Sequence, residues 1–312
     1  MSILYDAATL LDSIRIAGGL NSVQTEGNDD ARLLQDVYEV MREKVIPHLL
    51  SVREEYLVRT IRSSVASPVT RYRIPARAVG NNLRDIWFRD ANNSAFRLHR
   101  LAREDVPYHN SEGSSYPVGF YMEGNYAQLV PTDGKFEGSL EMAYHLAPSV
   151  LVKASEAGVV LSVDLPNRKV TLSGTPPGSF ISGAKIDLHS PENGAETKLF
   201  DLTLSGNPAS NVLTFTEAID GTAFGTSAAA VGDYVCLARE CAVLQVPEDL
   251  VPLVVNLVAL RHSIGAGDGS KAQMLASAVK ECQKDSLNVL SNRIQGKPRR
   301  VTGRGQVQGW CR

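Results

Sequence analysis

The spacing of apolar residues changes period twice along this chain, and that change constrains the fold more than any single motif. Over 7–16, Leu10, Leu11, Ile14 and Ile16 recur at helical spacing until Gly18-Gly19 ends the run, since glycine costs about 1 kcal/mol inside a helix. A second helix is expected from the Asn28-Asp29-Asp30 cap, with Leu34, Val37, Tyr38, Met41 and Val45 on one stripe and Pro47 bending or ending it. From residue 56 the period becomes two, in a β-branched stretch where Leu57, Arg59 and Ile61 alternate with Val58, Thr60 and Arg62. Strands are expected over 71–74, 83–88 and 136–146, and over 119–123 and 126–130 around Gly124-Asn125, a dipeptide suited to a two-residue hairpin turn.

Between 149 and 235 the chain turns rich in Gly, Ser, Thr, Pro and Ala, with short apolar runs at 159–163, 169–172, 185–188, 199–204 and 212–215. Regular short strands separated by turn residues indicate a small barrel or sandwich. This segment holds 5 Lys/Arg against 9 Asp/Glu and reads as an insertion. Helical spacing returns over 250–262 behind Pro247-Glu248-Asp249, breaks at the glycines of 265–269, and resumes over 270–294.

The expected fold class is therefore α+β. A helical bundle from the N- and C-terminal helices carries an inserted β-rich region and a small β-barrel or sandwich, with an extended C-terminal tail. The boundaries fall at 1–55, 56–148, 149–235, 236–295 and 296–312. No apolar run reaches the roughly 20 residues that span a bilayer, and the first residues lack a signal-peptide pattern, so no membrane partner and no Sec export are expected. Four cysteines, Cys236, Cys241, Cys282 and Cys311, are too few and too scattered for a disulfide framework.

Motifs for chemistry are missing. Gly265-Ala-Gly-Asp-Gly269 lies between two helices without the strand of a dinucleotide fingerprint, and Gly296-Lys297-Pro298 lacks Walker spacing. The cysteines and the six histidines (His48, His99, His109, His145, His189, His262) show no zinc-ligand spacing, and the histidines are expected at surfaces or interfaces. His109 with Ser111 and Glu112 lacks a nucleophile elbow, and Glu137, Glu141, Asp187 and Glu192 would meet as acid and base only by accident of folding. No catalytic residue, cofactor or metal site is expected, and the chain is read as a non-enzyme. One charge feature stands out: 11 arginines and no lysine between Arg53 and Arg103. Guanidinium suits bidentate pairing, as at subunit contacts, although solvated strand faces would explain the run equally well.

Several stretches together carry a resemblance. Leu49-Leu50-Ser51-Val52-Arg53-Glu54-Glu55-Tyr56, Tyr72-Arg73-Ile74-Pro75-Ala76-Arg77-Ala78-Val79-Gly80 with Leu83-Arg84-Asp85, Gly119-Phe120-Tyr121-Met122-Glu123-Gly124, and Gly232-Asp233-Tyr234-Val235-Cys236-Leu237 running into Pro247-Glu248 resemble the portal-adaptor, or head-to-tail connector, proteins of tailed bacteriophages. The resemblance implies a structural virion protein at the neck, made in the host cytoplasm and assembled as a homo-oligomeric ring, commonly of twelve. Its partners would be the portal protein above and tail proteins (nozzle, tail tube terminator or fibres) below, with genome DNA passing through the lumen without sequence-specific binding. It implies that the C-terminal segment grips the portal, and the matching positions are Arg299, Arg300, Arg304 and Trp310 in a tail that carries six basic residues and no acidic one from Arg293 onward. A net charge of -2 fits a wall that DNA must pass without sticking. The alternatives are a tail-fibre or receptor-binding β-module, which would trimerise, and a virion-associated cell-wall hydrolase, which would need two converging carboxyl groups.

Overall fold

The computed structural model describes residues 6–19, 30–66, 68–109, 116–191, 196–222 and 226–290. Helix α1 (Ala7–Gly18) is capped by the Asp6 carboxylate, which accepts from the Thr9 N–H at 2.8 Å, and it stops at Gly19 in the left-handed region. Helix α2 (Asp30–Val40) does not end before Pro47. A π turn over Met41–Val45 leads it into α3 (Ile46–Val52), and the wider i→i+5 bonding accommodates a proline that cannot donate to the ladder. Helices α4 (Val251–Gly265) and α5 (Gly269–Leu290) meet at the glycine turn. Leu10, Ile14, Leu33, Ile46, Leu49 and Val254 from these helices share one buried core, which also takes in Leu151, Leu244 and Val246.

The largest unit is a curled seven-stranded sheet in the order β1-β7-β3-β4-β5-β6-β2. Its strands are β1 (Val58–Ala66), β2 (Arg71–Arg73), β3 (Ala78–Arg89), β4 (Ala95–Arg100), β5 (Gly119–Glu123), β6 (Tyr126–Val130) and β7 (Glu137–Leu146). All neighbours are antiparallel except β4 and β5. Alternation decides the faces: on β7, Leu140, Met142, Tyr144 and Leu146 are buried while Glu141, Ala143 and His145 are only partly covered. Phe88, Phe136 and Leu129 fill the core on the inner side. Gly124, with φ of 57°, turns the β5–β6 hairpin.

The chain then passes through β8 (Val150–Leu151) into an antiparallel six-stranded sheet. Its strands are β9 (Gly158–Asp164), β10 (Lys169–Leu172), β11 (Lys185–His189), β12 (Thr197–Thr203), β13 (Val212–Thr214) and β14 (Tyr234–Leu237), ordered β12-β11-β14-β9-β10-β13 around a core of their own. The returning strand β15 (Glu240–Cys241) lies parallel to β8, so the outgoing and incoming segments are held side by side.

The expected α+β class based on a helical bundle is overturned. The chain is a mixed α/β protein dominated by β-structure, with more of the described residues in strands than in α-helices. The terminal helices do pack together, but β1, β3 and β7 run for 9, 12 and 10 residues, pair directly and bury a separate core, so the sheet is a framework and not a loop hung from a bundle.

Candidate functional site

The helical layer and the two larger sheets meet at Arg77, which precedes β3 after a turn closed by the Ala78 N–H to the Pro75 carbonyl at 2.9 Å. Its side chain is 6% exposed and crosses to the six-stranded sheet. Nη1 donates to Asp187 Oδ2 at 2.5 Å, and Nη2 donates to Asp187 Oδ1 at 3.0 Å and to Asp201 Oδ1 at 2.8 Å. Burial opposes the Arg77 charge, and the two carboxylates more than offset it, so the proton is held more firmly than on a free guanidinium.

Asp187, on β11, is fully buried and also accepts the backbone N–H of Asp201 at 2.9 Å and of Arg239 at 2.8 Å. Both donors sit in the left-handed region, with φ of 58° and 71°. Such backbone costs non-glycine residues of order 1 kcal/mol, and a charge-assisted hydrogen bond from each amide compensates.

Two residues along β11, His189 is fully buried. Its Nε2 lies 2.8 Å from the Glu240 carbonyl and Nδ1 lies 3.2 Å from the Gln245 amide nitrogen, an arrangement that assigns the proton to Nε2. Burial pushes its pKa down, which keeps the ring neutral. Gln245 donates to Thr197 Oγ1 at 2.8 Å and accepts from the Ser149 N–H at 2.8 Å, tying together the two segments beside β8 and β15. A second crossing, Arg59 to Glu196 at 2.9 Å, joins β1 to the lead-in of β12.

Beside this junction opens a cleft of about 430 Å³, lined by α2 and the π turn, by residues 76–80, by the approach to β8, and by the β14–β15 turn. Arg42, Arg77 and Arg239 line it together with Tyr38, and among the described residues no acidic one does. The junction holds the units together and the cleft presents cationic groups to solvent. Asp187 is saturated and no acid–base pair faces the opening.

The sequence pointed elsewhere. Arg299, Arg300, Arg304 and Trp310 lie outside the described residues. His189, expected at a surface or an interface, is fully buried, where three polar partners surround it. Glu137 is exposed, while Glu141 is held by Arg62 at 3.3 Å and Arg89 at 2.8 Å, so the two do not form an acid–base couple. Cys236 and Cys241 are buried thiols, and burial pushes Cys241 up to about 12. His109 ends a one-turn helix at Val106–His109, and Ser111 and Glu112 lie outside the described residues. Among the described residues no three His, Cys, Asp or Glu side chains gather as metal ligands would, and no helix is long and apolar enough to cross a membrane.

Eight of the eleven arginines in the run pair with carboxylates of the described residues. Besides Arg59, Arg62, Arg77 and Arg89, Arg97 and Arg84 pair with Asp85, and Arg71 and Arg103 reach Glu123 at 3.6 and 3.7 Å. The signal that could have located the junction was the contrast between this basic run and the acidic 149–235 segment. No protein-family model matches the chain, and no curated protein matches it.

Proposed function

We propose that the protein is a structural component of a tailed-phage virion, a portal adaptor that assembles as a ring and lets the genome pass. The order and wording of the segments named above support this reading, as does the fact that the charged groups of the junction hold the fold together. The observation that carries it is the outer face of the seven-stranded sheet. There Trp87, 38% exposed, stands between two closed charge clusters, Arg62–Glu141–Arg89 and Arg97–Asp85–Arg84, beside a recess of about 260 Å³ floored by Thr60, Ala95 and Ala143.

A face whose charges are already paired can be covered by a neighbour without stranding a bare ion, and an exposed tryptophan supplies the apolar anchor typical of protein interfaces. The neighbour is a second copy of this chain, and a head-to-tail contact whose rotation closes gives a ring. Portal contact belongs to Arg299, Arg300, Arg304 and Trp310.

Native mass measured with and without the cognate portal tests the proposal. A closed ring that binds portal is expected, and a chain lacking 297–312 should stay folded and lose the portal complex. A trimer would favour the fibre reading, and a monomer indifferent to portal would end the adaptor reading.

A further inference from the structure

We propose that the cleft at the junction of helices and sheets is a binding site for a phosphate dianion, a property independent of the adaptor reading. Arg42 and Arg239 are both exposed and come from segments nearly 200 residues apart, yet they line one opening with no acidic residue among the described residues of its wall. Among the described residues neither has an ion-pair partner within 4.0 Å, whereas Arg59, Arg62, Arg89 and Arg97 on β1, β3 and β4 pair with carboxylates.

The backbone on both sides is fixed. Arg239 gives its N–H to Asp187, and Arg42 lies in the π turn one helical turn after Tyr38, whose phenol lines the same opening. Arg77 forms part of the lining with both terminal nitrogens held by Asp187 and Asp201, while its Nε is buried without a hydrogen-bond partner. Asp187 therefore neutralises Arg77 and leaves the positive charge of Arg42 and Arg239 facing the cleft.

Two guanidinium groups offer paired donors to the oxygens of one dianion, and guanidinium geometry matches phosphate. A volume of about 430 Å³ lies in the range of small-ligand sites, which favour the meeting of structural units. Ile46, Val79 and Val150 make part of the wall apolar, which suits the body of a phosphomonoester as well as the free ion.

Titration calorimetry of the full chain at constant ionic strength, with inorganic phosphate in one arm and phenyl phosphate in the other, tests this. Saturable binding of one ligand per chain is expected, weakened at least tenfold by Arg42→Gln and by Arg239→Gln, with unchanged circular dichroism. Tighter binding of phenyl phosphate would identify an ester as the ligand, and binding of inorganic phosphate alone would identify the free ion; both support the site. Failure of both arms to bind, or equal binding by the variants, would overturn it.

Discussion

Asp187 receives four hydrogen bonds, two from Arg77 and one each from the Asp201 and Arg239 amides, and none of them reaches solvent freely. Removing one member of such a pair strands the other, which costs about 3–5 kcal/mol, whereas removing both costs much less than the sum. Arg77→Ala and Asp187→Ala should each lower the denaturant midpoint strongly, and the double variant should lie close to the single ones; additive losses would show that the two groups act separately. His189 adds a pH dependence of definite sign. Burial depresses its pKa below the ordinary value of 6.5, so the unfolded chain takes up the proton first as pH falls. The stability this neutral ring contributes is complete above that value and declines in the acid window below it. His189→Gln should flatten the stability curve in that window, leaving the smaller slope of His48, whose pKa burial also lowers. An unchanged slope would place the proton uptake elsewhere.

Among the elements, those with a local cause were legible. The β5–β6 hairpin follows from Gly124-Asn125, α1 from its apolar spacing and terminal glycines, and the strands of 158–214 from their turn residues. What escaped depends on distant partners. Strand β4 has an exposed, polar pattern and exists because β3 offers its edge, and β8 and β15 are two-residue strands that only pairing with each other defines. Pro47 left open whether the helix bends or ends, and a π turn, which no residue pattern announces, lets it continue. The junction shared this fate: its residues are spread from Ser149 and Arg77 to Gln245, and only folding brings them together. Strand β3 also carries the test of the outer sheet face. Trp87 projects opposite the buried Ile86 and Phe88, so Trp87→Glu places a charge on the uncovered side and spares the core. It should leave circular dichroism unchanged and reduce the proposed ring to monomers in native mass spectra; an intact ring would move the proposed subunit contact to another surface.

For the whole molecule, the six-stranded sheet has its own core and is tethered by the β8–β15 pair and by Arg59 and Arg77. Its limits differ from the compositional shift at 149–235, since Leu151 belongs to the helical core and β14 continues to Leu237 inside the sheet. Replacing 154–238 with a short Gly/Ser linker should preserve helical circular dichroism. Arg77→Gln should change the stability of that variant little, because excision removes the cover of the guanidinium together with both of its carboxylates and leaves it hydrated. Loss of the helical signal in both versions would mean that the sheet is needed to build the rest.

Helix α1 packs against α4, and that contact sets the timetable of synthesis. Leu10 and Ile14 leave the ribosome roughly 240 residues ahead of Val251, which at about 5–20 residues per second leaves them without their partner for ~10–50 s. During that interval both sheets can close, while the first helix waits with an apolar stripe that any other nascent chain could capture. A chaperone that shields the N-terminus until the last third has emerged would therefore raise the yield of folded chain, and translation slowed beyond residue 150 would lower it.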